Sequence, residues 1–92
     1  MKETIQNILE QIEELVQTIY VPGELTITEQ YIKLLDLFDA FITTMGQLGY
    51  QVQLDQELLG IQNAYTKQDY IQLADLLLYE IRPEFQELMT EN

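Results

Sequence analysis

The sequence contains no cysteine, histidine, serine or tryptophan. Without cysteine it can form neither disulfides nor thiolate metal sites, which fits a reducing cellular interior but does not require one. Histidine, cysteine and serine supply the usual near-neutral base and the usual nucleophiles of enzymes. Asp36 and Asp39 have a spacing that puts both carboxylates on one side of a helix, but surface acids so placed are usually solvated. We therefore expect a protein that is not an enzyme.

Metal and cofactor motifs are missing as well. Di-metal bundles use Glu-x-x-His pairs, calcium loops alternate acids before a glycine and a terminal Glu, and nucleotide sites use glycine-rich phosphate loops. None of these patterns occurs. Glu10, Glu13 and Glu14 would hold at most a loosely bound cation. We expect no cofactor and no specific metal.

Basic residues are scarce, with four Lys and Arg against 16 Asp and Glu, for a net charge of −12. Such a surface repels the phosphates of nucleic acid and anionic membranes, so neither is an expected partner. The acidity favours a basic partner through its long-range field. The simpler alternative is a solvated surface that merely favours acids, because the acids are spread along the chain.

Long apolar runs are absent too. About 18 consecutive apolar residues would be needed to span a membrane, and no stretch approaches that length. Residues 1–20 carry four Glu and one Lys among polar residues, unlike a signal peptide. We expect a soluble cytoplasmic protein.

The first half of the sequence predicts two helices, over about 4–20 and 27–48. The first has one apolar stripe, and Val21-Pro22-Gly23 ends it. Thr26 and Glu29 have capping-box spacing, with Thr28 as a competing cap, and Gly49 ends the second helix. Apolar residues surround most of the second helix, so we expect it to be the most buried helix or one side of a dimer. They are Tyr31, Ile32, Leu34, Leu35, Leu37, Phe38, Ala40, Phe41, Ile42, Met45 and Leu48.

The second half predicts a linker over 50–54 and helices over about 56–66 and 69–89. Asp55 is the expected N-cap of the third helix, and Leu54 and Leu59 have the spacing of a hydrophobic staple. The short turn 67–69 forces the third and fourth helices into an antiparallel hairpin, with Asp69 as the cap. Pro83 falls within the fourth helical pattern and should bend or break that helix.

The six Tyr and three Phe mostly fall on the core stripes. Tyr79 is off its stripe, and Tyr20 and Tyr50 lie at helix ends. Exposed tyrosine is favoured at protein interfaces because it gives a large contact area at little entropic cost. We therefore predict a protein-contact surface made of Leu37, Tyr50, Leu76 and Tyr79.

Two parts of the sequence resemble known families. Asn63-Ala64-Tyr65, Asp69-Tyr70 and the later Pro83 make residues 61–83 similar to a single tetratricopeptide repeat, although the turn glycine of that repeat is missing before Asp69 and the proline comes early. This likeness implies a helical hairpin. Residues 34–41 and 69–83 resemble a family of small uncharacterised helical proteins from Gram-positive bacteria, which implies a bacterial helical domain and no particular activity.

Together these patterns predict one all-α domain over residues 1–92, an antiparallel four-helix bundle whose fourth helix is bent or broken at Pro83. The expected function is that of a non-catalytic protein–protein interaction module, acting as an adaptor, a chaperone-like protein or a regulator. Its partner would be another protein, basic or helical. The alternative is a self-associating structural domain that acts as a homodimer.

Overall fold

The computed structural model describes residues 2–21 and 26–90. Its elements are α1 (Lys2–Tyr20), α2 (Ile27–Gln47), α3 (Asp55–Thr66), α4 (Tyr70–Leu76), a π-helical turn (Leu77–Ile81) and α5 (Arg82–Thr90). The last three form one continuous helical segment, which corresponds to the predicted fourth helix. The predicted all-α bundle is confirmed, and residues 50–54 form the predicted linker. The loop predicted over 22–25 lies outside the described residues.

The helix-capping predictions are partly confirmed. The Glu29 backbone N–H donates to Thr26 Oγ1 at 3.1 Å, and the Glu29 side chain accepts from the Thr26 backbone N–H in return, which completes the capping box. Thr28 instead shares a 2.7 Å hydrogen bond with the Tyr65 hydroxyl, so it links α2 to α3. Asp69 caps α4 by accepting from the Gln72 backbone N–H at 3.2 Å.

The prediction for the start of α3 was wrong. Asp55 is the first residue of the helix, where it places an acid in the first turn. Leu54 is the N-cap, and no side chain caps the helix there. Leu54 is buried, but Leu59 is exposed, so the two do not form a hydrophobic staple. Leu54 and half-buried Val52 therefore attach the linker to the core.

The central helix of the bundle is α1, and the prediction that α2 is the most buried helix was wrong. Cα atoms of α1 lie within 8 Å of Cα atoms in α2, α4 and α5. In the described part of the chain, α2 has such close Cα pairs only with α1. Part of the apolar excess of α2 faces solvent, since Ile32 is 53% exposed and Ala40 is also exposed. The sequence pattern gave the correct stripe for α1, which buries Ile5, Ile8, Ile12 and Leu15.

Aromatic side chains of α2 cross the wider gap to α3 and α5. Tyr31 stacks on Tyr65 with ring centroids 4.0 Å apart. Phe85 of α5 packs against Phe38 at 5.7 Å and against Phe41 at 5.1 Å, the latter edge to face. The fully buried core draws on every helix, with Ile8, Ile12, Leu15, Leu34, Phe38, Phe41, Ile61, Leu73, Leu77, Ile81 and Phe85.

The hydrogen bonding of the fourth predicted helix changes to that of a π-helical turn just before Pro83, but the helical segment is not broken there. Arg82 donates its backbone N–H to the Leu77 carbonyl five residues back, a wider spacing than the α-helical one. Proline lacks an N–H, and in a regular helix its ring clashes with the carbonyl four residues earlier. The π-helical turn therefore lies where the α-helical pattern cannot continue undisturbed. None of the described helices is long and apolar enough to cross a membrane.

Candidate functional site

A groove of about 340 Å³ lies where the end of α2, the linker and α5 meet. We call it the end groove. Its floor contains the buried rings of Phe41 and Phe85, fixed by their edge-to-face contact. Half-buried Met45, Val52 and Leu88 form its apolar sides. The floor is therefore rigid, while flexible Met45 lets the side wall adapt in shape.

The linker wall of the end groove is positioned by the way α2 ends. Gly49 adopts φ 87°, a conformation that a side chain disfavours. The Gly49 N–H donates to the Gly46 carbonyl at 3.1 Å, and the Tyr50 N–H donates to the Met45 carbonyl at 2.9 Å. These two bonds make a Schellman motif, which turns the chain back across the helix end. Leu48 and Tyr50 are left largely exposed in this turn, and Gln51, which follows Tyr50, lines the groove.

Polar residues line the rest of the end groove, namely Gln51 and Gln53 from the linker and Glu84 and Glu87 from α5. Burial, followed by repulsion from Glu57, raises the pKa of Glu84 above its usual range. A side-chain hydrogen bond with Glu57 and the charges of Glu87 and Glu80 act in the same direction. The charges that shift the pKa of Glu84 are thus all acidic, and the rim of the groove is strongly negative.

The four residues of the predicted contact surface do not line one groove. Leu37 lies in a polar groove between α1 and α2, beside Lys33 and Asp36. Leu76 lies in another groove, with Glu57 and Glu80. Tyr50 is 63% exposed and Tyr79 is 71% exposed, and of these two only Tyr50 borders the end groove through its chain neighbours. A contact role for these residues stays a prediction.

The other acids considered in the sequence are at the surface. Asp36 and Asp39 are both exposed on α2. Glu10 and Glu14 line the groove between α1 and α2, and Glu13 is exposed. In residues 2–21 and 26–90, no three or more acids converge as a set of candidate metal ligands.

Sequence reasoning did not single out the end groove. Met45 belongs to the apolar residues of the predicted second helix, Leu88 to the predicted fourth helix over 69–89, and Val52 to the predicted linker. Their meeting depends on the turn at Gly49 and on the packing of α5 against α1, two features that are far apart in the chain. The only local indication was the alternation of apolar and polar residues over 50–54.

Comparison with known proteins gives a family and no named relative. No curated protein and no solved structure matches the chain. The model of one protein family matches residues 1–91, nearly the whole length. The chain therefore belongs to the family described as domain of unknown function DUF8042.

Proposed function

We propose that this protein is a non-catalytic protein-binding module and that the end groove holds part of its partner. The observation that carries the proposal is a groove, open to the surface, in which half-buried Met45, Val52 and Leu88 stand beside the buried rings of Phe41 and Phe85. Apolar grooves between helical segments recognise protein partners by taking up their apolar side chains. An adaptor, a chaperone-like protein or a regulator would each use such a groove.

Binding of a protein segment fits the groove better than binding of a small molecule. Its volume of about 340 Å³ is at the small end for small-molecule sites. Its polar lining consists of two glutamines and two glutamates from α5 and the linker, without a cationic group to orient an anionic metabolite. An apolar side chain from a partner would fill the floor, and the rest of the partner would lie over the turn at 48–50.

Self-association is the second candidate function, supported by exposed apolar residues away from the groove, among them Ile32 and Leu59. A homodimer would bring together two chains that each carry a net charge of −12. This repulsion favours a different protein as the partner. The same net negative charge argues against nucleic acid and anionic membranes as partners.

The remaining features of the proposal concern origin and likeness. We place the protein in the bacterial cytoplasm, since its sequence resembles that of small helical proteins from Gram-positive bacteria and it has no cysteine. The hairpin of α3 and α4 supports the likeness of residues 61–83 to a tetratricopeptide repeat. Gln68, which stands where that repeat has its turn glycine, adopts φ 59°, a conformation that favours glycine.

Site-specific photo-crosslinking in cells tests the proposal. A benzoyl-phenylalanine at Val52 reports on the end groove, and one at Gln62, which is exposed on α3, serves as the control. We expect Val52 to crosslink to one defined protein that Gln62 does not reach, and we expect Met45→Glu to abolish that product. A product with the mass of two copies of this chain would instead support the homodimer. Identical products from both positions, or none from Val52, would contradict the proposal.

A further inference from the structure

Resting on the proposed function, we infer that the occupant of the end groove is a cationic segment of the partner protein. An apolar side chain of that segment enters between Met45 and Leu88. Neighbouring Lys or Arg side chains pair with Glu84 and Glu87. The partner segment must therefore have two features: an apolar side chain that enters the groove and a positive charge beside it.

The geometry of α5 places the two requirements side by side. Glu84 and Glu87 are three residues apart, so they lie on the same side of the helix. Leu88 follows Glu84 by four residues and Phe85 by three, so the carboxylates flank the apolar wall and floor. A segment that buries an apolar residue here brings its neighbouring side chains to the acidic rim.

The acidic rim extends beyond the end groove. Glu57 of α3 interacts with Glu84 and lines the adjoining groove with Glu80. Burial, followed by repulsion from Glu57, Glu87 and Glu80, raises the pKa of Glu84. A cation from a partner would relieve this repulsion. The cluster thus destabilises the isolated chain but would favour a cationic partner.

The groove between α1 and α2 is a useful contrast. It also contains acids, Glu10, Glu14 and Asp36, but Lys33 of the same chain lies among them. Its apolar lining consists of Leu37, without an aromatic floor. It therefore lacks both the apolar floor and the uncompensated negative charge of the end groove. Glu10 and Glu14 of this groove can thus be substituted as a control for substitution of Glu84 and Glu87.

The probe is a set of short random peptides displayed on phage and selected at low salt against the full-length protein. We expect the selected peptides to combine a large apolar residue with flanking Lys or Arg. One selected peptide is then synthesised in its original form and with each Lys and Arg replaced by Gln. The affinities of both forms are measured by fluorescence anisotropy, and their contact sites are mapped by amide chemical shifts of the ¹⁵N-labelled protein.

The double variant Glu84→Gln/Glu87→Gln should lower the affinity for the cationic peptide by about two- to fivefold per carboxylate removed, with a smaller loss of affinity at high salt. It should leave the Gln form of the peptide unaffected. The control Glu10→Gln/Glu14→Gln removes the same net charge and should have little effect on either peptide. Shifts should centre on Met45, Val52 and Leu88.

Each contrary result has its own meaning. If both forms of the peptide bind the end groove equally, the charge requirement is wrong while the protein-binding role stands. If the two double variants weaken the cationic peptide equally, binding follows net charge and the assigned site is wrong. If the selected peptides shift only amides outside the end groove, both the inference and the role of this groove in protein binding fail.

Discussion

The side-chain amide of Gln11 on α1 donates a hydrogen bond to the side-chain oxygen of Gln30 on α2, and both side chains are buried between the helices. Gln11 is 8% exposed and Gln30 is 5% exposed. The same amide also reaches the backbone carbonyl of Gln30 at 3.4 Å. Each glutamine thus satisfies part of the hydrogen-bonding capacity of the other where α1 and α2 meet.

Gln11→Leu should destabilise the protein by about 1–3 kcal/mol, because it leaves the buried Gln30 side chain without its partner. Replacing both residues, as Gln11→Leu/Gln30→Leu, should cost much less than the sum of the two single changes, since no buried polar group is then left unpaired. Urea unfolding of the four proteins in this double-mutant cycle measures the coupling energy. Additive effects of the two single changes would show that the pair does not stabilise the contact.

The Glu84 carboxylate should make stability depend on pH. Burial and the neighbouring acids raise its pKa in the folded protein above the ordinary value of 4.5. The protonated form therefore favours folding below that ordinary value, and this stability is lost as the pH rises through the folded-state pKa. At about pH 7, Glu84→Gln should raise the free energy of unfolding by at most about 0.5 kcal/mol, since solvent screens the group. The gain should vanish in acid, below the ordinary pKa.

Urea unfolding of Glu84→Gln at neutral and acidic pH checks this expectation. Glu13→Gln removes one charge from the exposed face of α1 and controls for the change in net charge. A gain that is the same at both pH values would mean that repulsion around Glu84 is not its cause. Because the same substitution is expected to weaken binding of a cationic segment, stability and binding should change in opposite directions.

Gln68→Gly should stabilise the turn between α3 and α4. Gln68 adopts φ 59°, and the flanking N–H groups of Gln68 and Asp69 bond to the Tyr65 and Ala64 carbonyls in a Schellman motif. A side chain in this conformation costs about 1–2 kcal/mol, which glycine avoids. The greater freedom of glycine in the unfolded chain offsets part of the gain, so we expect a net increase of about 0.5–1 kcal/mol. Thermal unfolding measures it.

Two matched variants check the cause. Gln68→Ala keeps a Cβ at the same backbone angle and should leave stability nearly unchanged. Gly49→Ala makes the reverse change in the equivalent motif at the end of α2, where φ is 87°, and should cost about 1 kcal/mol or more. If Gln68→Ala stabilised the protein as much as Gln68→Gly does, the backbone conformation would not be the reason.

What the sequence predicted well was set by local spacing and local chemistry. Four correct predictions each depend on residues within a few positions of one another. They are the apolar stripe of α1, the capping box of Thr26 and Glu29, the N-cap Asp69 and the end of α2 at Gly49. What it missed depends on which helix faces which. Gln11 is polar and does not belong to the apolar stripe of α1, and its burial follows from the position of α2.

The same reason explains the missed site. Apolar residues around α2 indicated a central helix, yet Ile32 faces solvent while α1 occupies the centre. The end groove needs Met45, Val52 and Leu88 to converge from three segments. The spacing of apolar residues along a helix shows which side of that helix is buried, but it does not show which other segments pack against that side. The sequence showed only local features of this site, the helix-ending Gly49 and the alternation of apolar and polar residues over 50–54.

The π-helical turn changes what should be expected of Pro83→Ala. From the sequence alone, removal of the proline predicts a longer fourth helix and higher helicity. The structure already has helical residues on both sides, Leu77–Ile81 before it and Arg82–Thr90 around and after it. We therefore expect far-ultraviolet circular dichroism to change little. The extra N–H should stabilise the helix by less than the ~3 kcal/mol that separates alanine from proline in a regular helix interior, because the wider turn relieves part of the clash.

Gln86→Ala is the matched control for Pro83→Ala, since it adds an alanine at another exposed position of α5 and reports the gain from helix propensity alone. The Pro83→Ala protein should be more stable to heat than the Gln86→Ala protein, and the two should have the same helicity by circular dichroism. A marked rise in helicity would mean that residues after Pro83 are not helical in solution. In that case α5 would not hold Glu84, Phe85 and Leu88 along the end groove, and the binding site would have to form on contact with the partner.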